Sequence, residues 1–298
     1  MVPRVPDPIE IRPMRGDDVP AVHQAGVAAF EDLDRRSGVP YPGPAPPLEV
    51  AHARYHHLLA TDPGGAWVAE RNDSEIVGAS VGLVREGIWG LSYLVVIPGA
   101  QSAGTGRELL SRAWEHGRDA RGWIVVSSQD PRALRAYARL GLALHPCLMA
   151  TGTPRGISAP AGVRPGSVDD LPLTESVDRA VRGAAHGADL RVQVESGATL
   201  LVVPGRGYAT VRDGNVLLLA ALDDAAARDL LLAALASAGR RPGDGRLHLR
   251  RAGLGRRPLP GRRAGAAPFR SAVPGRGSRA VHALRAEWRV PLAGTVAS

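Results

Sequence analysis

The sequence predicts an α/β fold built from two related domains, each a mixed, mostly antiparallel sheet flanked by helices. Three observations carry this. Strand-like and helix-like runs alternate through the first half. A glycine-punctuated strand–loop–helix sits at the centre of that half, and a motif near the N-terminus returns 152 residues later. The implied division is a first domain over 8–152, a linker over 153–162, a second domain over 163–239, and an Arg/Gly/Pro-rich tail over 240–298.

In order, Ile9 to Arg12 alternates like a strand. Asp17 and Asp18 stand where a helix N-terminus wants carboxylates, with Pro20 in the first turn. A Pro-rich loop over 35–47 leads to a second helix, roughly 48–60, closed by Asp62-Pro63-Gly64-Gly65. Three strands follow over 66–70, 76–84 and 88–97, the first two joined by the turn at 71–74. A helix after the glycines, a strand over 123–128, a helix opened by Asp130-Pro131 and a last strand over 142–149 complete the half.

Arg12-Pro13 and Asp17-Asp18-Val19-Pro20 recur as Arg164-Pro165 and Asp169-Asp170-Leu171-Pro172. A repeat of this quality reads as a duplication. Strand-like runs at 199–203, 207–212 and 216–222 and a helix at 225–236 continue the copy. Beyond Leu247-His248-Leu249 no strand or helix period is evident. Two readings of the tail stay open, a disordered basic segment and a shifted reading frame.

At 298 residues the chain can bury a sizeable core. Its single cysteine, Cys147, excludes an intramolecular disulfide and a cysteine-cluster metal site, and reads as a small buried hydrophobe. No apolar run approaches the ~18 residues of a membrane span. The first residues lack the apolar core of a signal peptide. A cytoplasmic protein with no membrane partner and no bound metal is the expectation. Every basic residue is arginine, which points to a GC-rich gene. Fourteen of the arginines lie in the tail against only Asp244 and Glu287, so the net charge of +8 belongs there and the rest of the chain is net negative.

The central stretch runs Leu94-Val95-Val96-Ile97-Pro98-Gly99-Ala100-Gln101-Ser102-Ala103-Gly104-Thr105-Gly106-Arg107. A helix start leaves backbone N–H groups without partners at its positive end, and glycines there let an anion come close. The loop is neither a Walker loop, lacking Lys-Ser/Thr, nor a Gly-x-Gly-x-x-Gly turn.

Val96, Pro98, Gln101, Gly104 and Gly106 stand in the register of Val-x-Pro-x-x-Gln/Arg-x-x-Gly-x-Gly/Ala. This resembles the acyl-CoA pyrophosphate loop of the GCN5-related N-acetyltransferase (GNAT) superfamily, with Ser102 in place of a common family glycine. The order of elements is also similar to that family. The resemblance implies that main-chain groups of Leu94, Val95 and Val96 hold pantetheine, a Val96 N–H serving the oxyanion. It implies that Ser102, Ala103, Gly104, Thr105, Gly106 and Arg107 cradle the pyrophosphate, after Gln101.

A second stretch, Asp130-x-x-Ala133-x-x-x-Tyr137-x-x-Leu140-Gly141-Leu142, resembles the family's Asn-x-x-Ala-x-x-x-Tyr-x-x-Leu-Gly-Phe. By that resemblance Tyr137 is the general acid that protonates the leaving thiolate, and Asp130 replaces an asparagine near the cofactor. The base stays open among Glu86, Glu70, Tyr93 and the pair His56-His57. Tyr41, Tyr55 and Phe30 border the loop where an acceptor would approach.

The function implied is transfer of an acetyl group from acetyl-CoA to the primary amine of a small molecule or peptide by direct attack. The rival from another class is a non-catalytic acyl-CoA sensor or scaffold. Nucleic-acid binding by the tail is disfavoured, because interleaved aromatics are lacking. A homodimer is compatible with the sequence. In the second domain the equivalent of the loop is Asp223-Asp224-Ala225-Ala226-Ala227-Arg228, where carboxylates oppose an anion, so that domain reads as degenerate. Tandem members of similar length include mycothiol synthases and aminoglycoside-type acetyltransferases. In the mycothiol synthase pattern the second half carries the working loop, which argues against that assignment.

Overall fold

The computed structural model describes residues 8–38, 47–72, 74–101, 104–145, 149–150, 154, 156–238, 249–250 and 254–256. The first half opens with β1 (Ile9–Pro13), a single 3-10 turn at Gly16–Asp18, α1 (Val19–Ser37) and α2 (Leu48–Thr61). It continues with β2 (Ala66–Arg71), β3 (Glu75–Arg85), β4 (Ile88–Val96), α3 (Thr105–His116), β5 (Gly122–Val125), α4 (Pro131–Arg139), β6 (Leu142–Leu144) and β7 (Met149–Ala150). The second half holds β8 (Arg164–Pro165), α5 (Leu171–Arg182), α6 (Ala188–Glu195), β9 (Thr199–Val203), β10 (Gly207–Arg212), β11 (Asn215–Ala221) and α7 (Asp224–Ala238). Two short strands, β12 (Leu249–Arg250) and β13 (Leu254–Arg256), follow.

The first sheet runs β1-β2-β3-β4-β5-β13-β6, and β4 and β5 are its parallel pair. Alternation along β4 feeds two cores. Tyr93 and Val95 face α1 and α2 among Val19, Val22, Tyr55 and Leu58. Leu94 and Val96 turn to the other face, against Ala69, Val77 and Leu109 of α3. Two sheet side chains fix α3: Ser80 Oγ donates to Leu109 O at 2.8 Å and Trp89 Nε1 to Ala113 O at 3.0 Å.

The internal repeat recurs as geometry. Arg12 grips both oxygens of Asp18 at 2.7 and 2.9 Å, and Arg15 N–H donates to the same carboxylate at 2.7 Å. Arg164 grips both oxygens of Asp170 at 2.9 and 2.5 Å, with Ser167 N–H donating at 3.0 Å. In both copies the arginine also donates to the carbonyl of the proline that follows it. Each fork pins a strand end to the start of a helix, α1 or α5. The second sheet, β11-β10-β9-β8, is antiparallel, with α7 packed on one face through Leu230 and α5 and α6 on the other through Val177 and Leu190.

Three details differ from the sequence expectation. The strand expected over 123–128 ends at Val125, where its neighbour β4 parts from it. The run 142–149 appears as β6 and β7; it contains Pro146, which has no N–H for a ladder. The tail, expected to lack a strand beyond Leu249, supplies β13, which pairs with both β5 and β6 in the first sheet. Three residues in a Gly- and Arg-rich context have no sequence period to reveal them. Cys147 and most of the tail lie outside the described residues.

Candidate active site

The site begins at a bulge. Along β3 and β4, Val81 pairs with Tyr93 but Gly82 pairs with Leu91, so Ser92 is the extra residue. The parallel pairing of β4 with β5 ends at the same level, with Leu91 opposite Val125. Beyond it, among the described residues, β4 continues to Val96 without a strand partner on that side. The bond from Ile97 N–H to Val77 O makes Val96–Gly78 a non-hydrogen-bonded pair. By the two-residue alternation, Leu94 and Val96 therefore turn their N–H and C=O groups away from β3, toward the open side.

A cavity of about 130 Å³ fills the gap between the parted strands. Its wall includes Leu94, Val95, Val96, Gln101, Asp130 and Tyr137, six of the expected residues, while Gly104, Thr105, Gly106 and Arg107 are not part of it. Tyr137 is buried, packed on α4 with Leu91, Leu110 and Leu142. Gln101 bridges the site: its Nε2 donates to Val96 O at 2.8 Å, and its Oε1 accepts from Arg132 Nη1 at 2.7 Å.

Asp130 is the N-cap of α4, accepting from Arg132 N–H at 2.8 Å, with Pro131 as the first helical residue. Burial alone would push its carboxyl up. Hydrogen bonds from the Arg132 side chain and backbone, and from Arg36, outweigh burial and bring it down to about 2. Asp130 in turn raises the Arg132 guanidinium.

At the other end of the cleft α3 starts at Gly104, whose φ of +90° lies in the left-handed region that favours glycine. Gly106 differs. A Cβ there would meet only Val96 Cγ2, at an ordinary 3.5 Å. The fold itself does not demand a glycine at 106, and in this first helical turn Arg107 N–H and Glu108 N–H donate to Gly104 O at 3.0 and 3.1 Å. Thr105 is buried and Arg107 is exposed. Ser102 and Ala103 lie outside the described residues.

Four of the candidate bases sit away from this cleft. Glu70 is bound by Arg12 at 2.5 Å. Glu86 is held by Arg179 at 2.7 Å and accepts from Ala185 N–H at 3.0 Å. His56 is exposed on α2, and His57 reaches Asp189 of the second half. Tyr93 does line the cleft, but burial holds its hydroxyl well above the ordinary value, and the ring packs edge-on against Tyr55. Tyr55 is core, Phe30 lines the cleft, and Tyr41 lies outside the described residues. Sequence reasoning missed Ser92, Arg132 and Arg36. Only Arg132 carried a local signal, two residues after a helix-capping aspartate.

A second cavity, of about 70 Å³, lies between the halves. It is walled by α2, β3, β4 and β5 on one side and by α5, α6 and β11 on the other, and shares Leu91 and Ser92 with the first. In it Asp189 accepts from His57 at 2.8 Å and from Arg85 at 2.6 and 2.9 Å, while Arg85 also bonds Asp62 at 2.7 Å. Nearby, Asp178 accepts from Tyr208 Oη, His186 Nδ1 and His186 N–H at 2.6, 2.6 and 3.0 Å.

A parallel strand pair that parts at a bulge thus stands beside a glycine-started helix. Residues 28–142 match the family model described as acetyltransferase (GNAT) family. A crystal structure of a candidate acetyltransferase from Pyrococcus horikoshii superposes with a TM-score of 0.65 at 20% identity, covering 81% of this chain and 79% of that one. A GCN5-related N-acetyltransferase from Sphaerobacter thermophilus gives 0.52 at 16% identity, over 83% and 87%. Coverage this large carries the likeness in fold into the second half.

In sequence, mycothiol acetyltransferase from Streptomyces avermitilis is 30% identical over 161 residues, 48% of this chain and 46% of that protein. The match thus spans about half the length of that relative. Among the described residues no helix is long and apolar enough to cross a membrane.

Proposed function

We propose that the protein is an acetyl-CoA-dependent N-acetyltransferase whose first half carries the chemistry. The observation that carries this reading is the parting of β4 from β5 after the Leu91–Val125 pair, with Gln101 at one end of the gap and Tyr137 in its wall. Main-chain groups of Leu94 and Val96 face that gap and would hold the pantetheine amides, the Val96 N–H stabilising the thioester oxyanion. The N–H groups from Gly104 to Arg107 would take the pyrophosphate, aided by the helix dipole and the Arg107 charge. Tyr137 would give its proton to sulfur as the C–S bond breaks.

The second half would bind no CoA. Asp223 caps α7 by accepting from Ala226 N–H at 2.9 Å and pairs with Arg206 at 2.5 Å, so a carboxylate already occupies the place of an anion. The acceptor is a primary amine of a small molecule or peptide.

The test is release of CoA thiol from acetyl-CoA in the presence of a panel of primary amines, with Tyr137→Phe as the control. Amine-dependent release that falls about 10²–10⁴-fold in the variant, at unchanged acetyl-CoA affinity, supports the reading. Binding of acetyl-CoA without any release would turn the protein into a sensor or scaffold.

A further inference from the structure

We propose that His57 is the general base for the acceptor amine, positioned by Asp189 from the other half of the chain, and that the cavity between the halves is the acceptor site. The proposal rests on the acetyltransferase reading above.

Three observations carry it. First, the two cavities meet at Leu91 and Ser92, the bulge where β4 leaves β5. An amine in the inter-half cavity would meet a thioester carbonyl at these shared residues. Secondly, His57 is an imidazole in the wall of the inter-half cavity with one nitrogen already committed: Nε2 meets Asp189 Oδ1 at 2.8 Å. Burial pushes the Asp189 carboxyl up, but bonds from His57 and Arg85 bring it below the usual carboxylate range, so it is ionised and only accepts. Nε2 therefore donates to Asp189, and in the neutral imidazole this puts the lone pair on Nδ1. Thirdly, Arg85 holds Asp189 by both oxygens and is itself held by the nearly buried Asp62. The carboxylate is fixed from two sides, as an orienting group needs to be.

In this arrangement an incoming ammonium loses one proton to His57 Nδ1. The freed nitrogen lone pair forms the C–N bond at the thioester carbon, whose C=O pair moves to oxygen. The pair returns, the C–S bond breaks with its electrons on sulfur, and Tyr137 supplies the thiol proton. The nitrogen loses its second proton to solvent, which replaces the one Tyr137 gave. One proton per turnover leaves through His57.

The arrangement also gives the second half a function. Without Asp189 the base would have neither a fixed tautomer nor a fixed ring plane.

The test uses the full chain, with His57→Gln, which keeps a donor for Asp189 but has no basic nitrogen, and His57→Ala. Thiol release is followed with ethanolamine, 2-phenylethylamine and glycinamide, and with water alone, alongside acetyl-CoA titration and thermal melting. We expect His57→Gln to lose about 10²–10⁴-fold in kcat while melting temperature and acetyl-CoA affinity hold. Added imidazole is expected to restore rate to His57→Ala, a rescue that a purely structural histidine would not show. A His57→Gln rate within about threefold of the parent, or a folded His57→Ala that imidazole leaves inactive, overturns the assignment. A parent that binds acetyl-CoA yet releases no thiol with any of the amines overturns the acetyltransferase reading and the base with it, whereas an active parent with an equally active His57→Gln overturns the base alone. A parent that binds no acetyl-CoA overturns the underlying reading as well.

Discussion

Arg132 Nη1 donates to Gln101 Oε1 at 2.7 Å, joining the loop before α3 to the start of α4. The same Gln101 donates to Val96 O. One amide thus spans three segments around the cleft: β4, the loop before α3 and α4. Gln101→Ala would free all three while removing no core contact. We expect acetyl-CoA affinity to fall by about 1–2 kcal/mol, roughly 5- to 30-fold, since a hydrogen bond to a charged group is worth about that much. The melting temperature should barely move. Paired calorimetry and thermal melting check this.

The two glycines of the α3 start predict opposite behaviour. Gly104 has a φ of +90°, so Gly104→Ala should cost about 1–2 kcal/mol of stability. At Gly106 an added Cβ meets only Val96 at 3.5 Å. Gly106→Ala should therefore be neutral or stabilising, by up to about 1 kcal/mol. Its acetyl-CoA affinity should nevertheless drop, because the methyl fills the space beside the donors. Denaturant melts and calorimetry on both variants separate the two roles.

Duplication predicts matched but unequal effects of Asp18→Ala and Asp170→Ala. In the first fork both side chains are largely buried, with Arg12 at 13% and Asp18 at 11% exposure, and loss of one partner should cost about 3 kcal/mol. In the second fork Arg164 is 50% exposed, and the loss should be well below that of the first. Equal costs measured by denaturant unfolding would contradict the burial argument.

Asp130 gives a pH prediction. Its carboxyl is brought down to about 2 from an ordinary 3.8. A depressed folded value means the cap of α4 stabilises fully above about pH 4 and is lost as pH falls toward 2. Carbon-detected titration of Asp130 should show a midpoint near 2, and Asp130→Asn should flatten that part of the acid-stability curve. A midpoint near 3.8 would deny the Arg132 clamp.

Much of this was legible because its determinants are local. Pro98, Gln101, Gly104 and Gly106 announce a strand end and a helix start by backbone chemistry alone, and Asp130-Pro131 announces another. The alternation of β4 is written in Tyr93-Leu94-Val95-Val96. What stayed hidden depends on residues far apart in the chain. The Ser92 bulge exists only relative to β3. His57 meets Asp189 across 132 residues, so neither reads as part of a pair. Strand β13 is three residues long and is defined by the gap it fills between β5 and β6.

Calorimetric titration of acetyl-CoA into the parent and Gly104→Asp tests whether the cleft between β4 and β5 holds acetyl-CoA with its pyrophosphate on α3. Micromolar binding to the parent and none to the variant is expected, because the Asp carboxylate would sit beside the pyrophosphate at the helix start. Equal binding to both would contradict the placement. No binding to the parent would contradict the function.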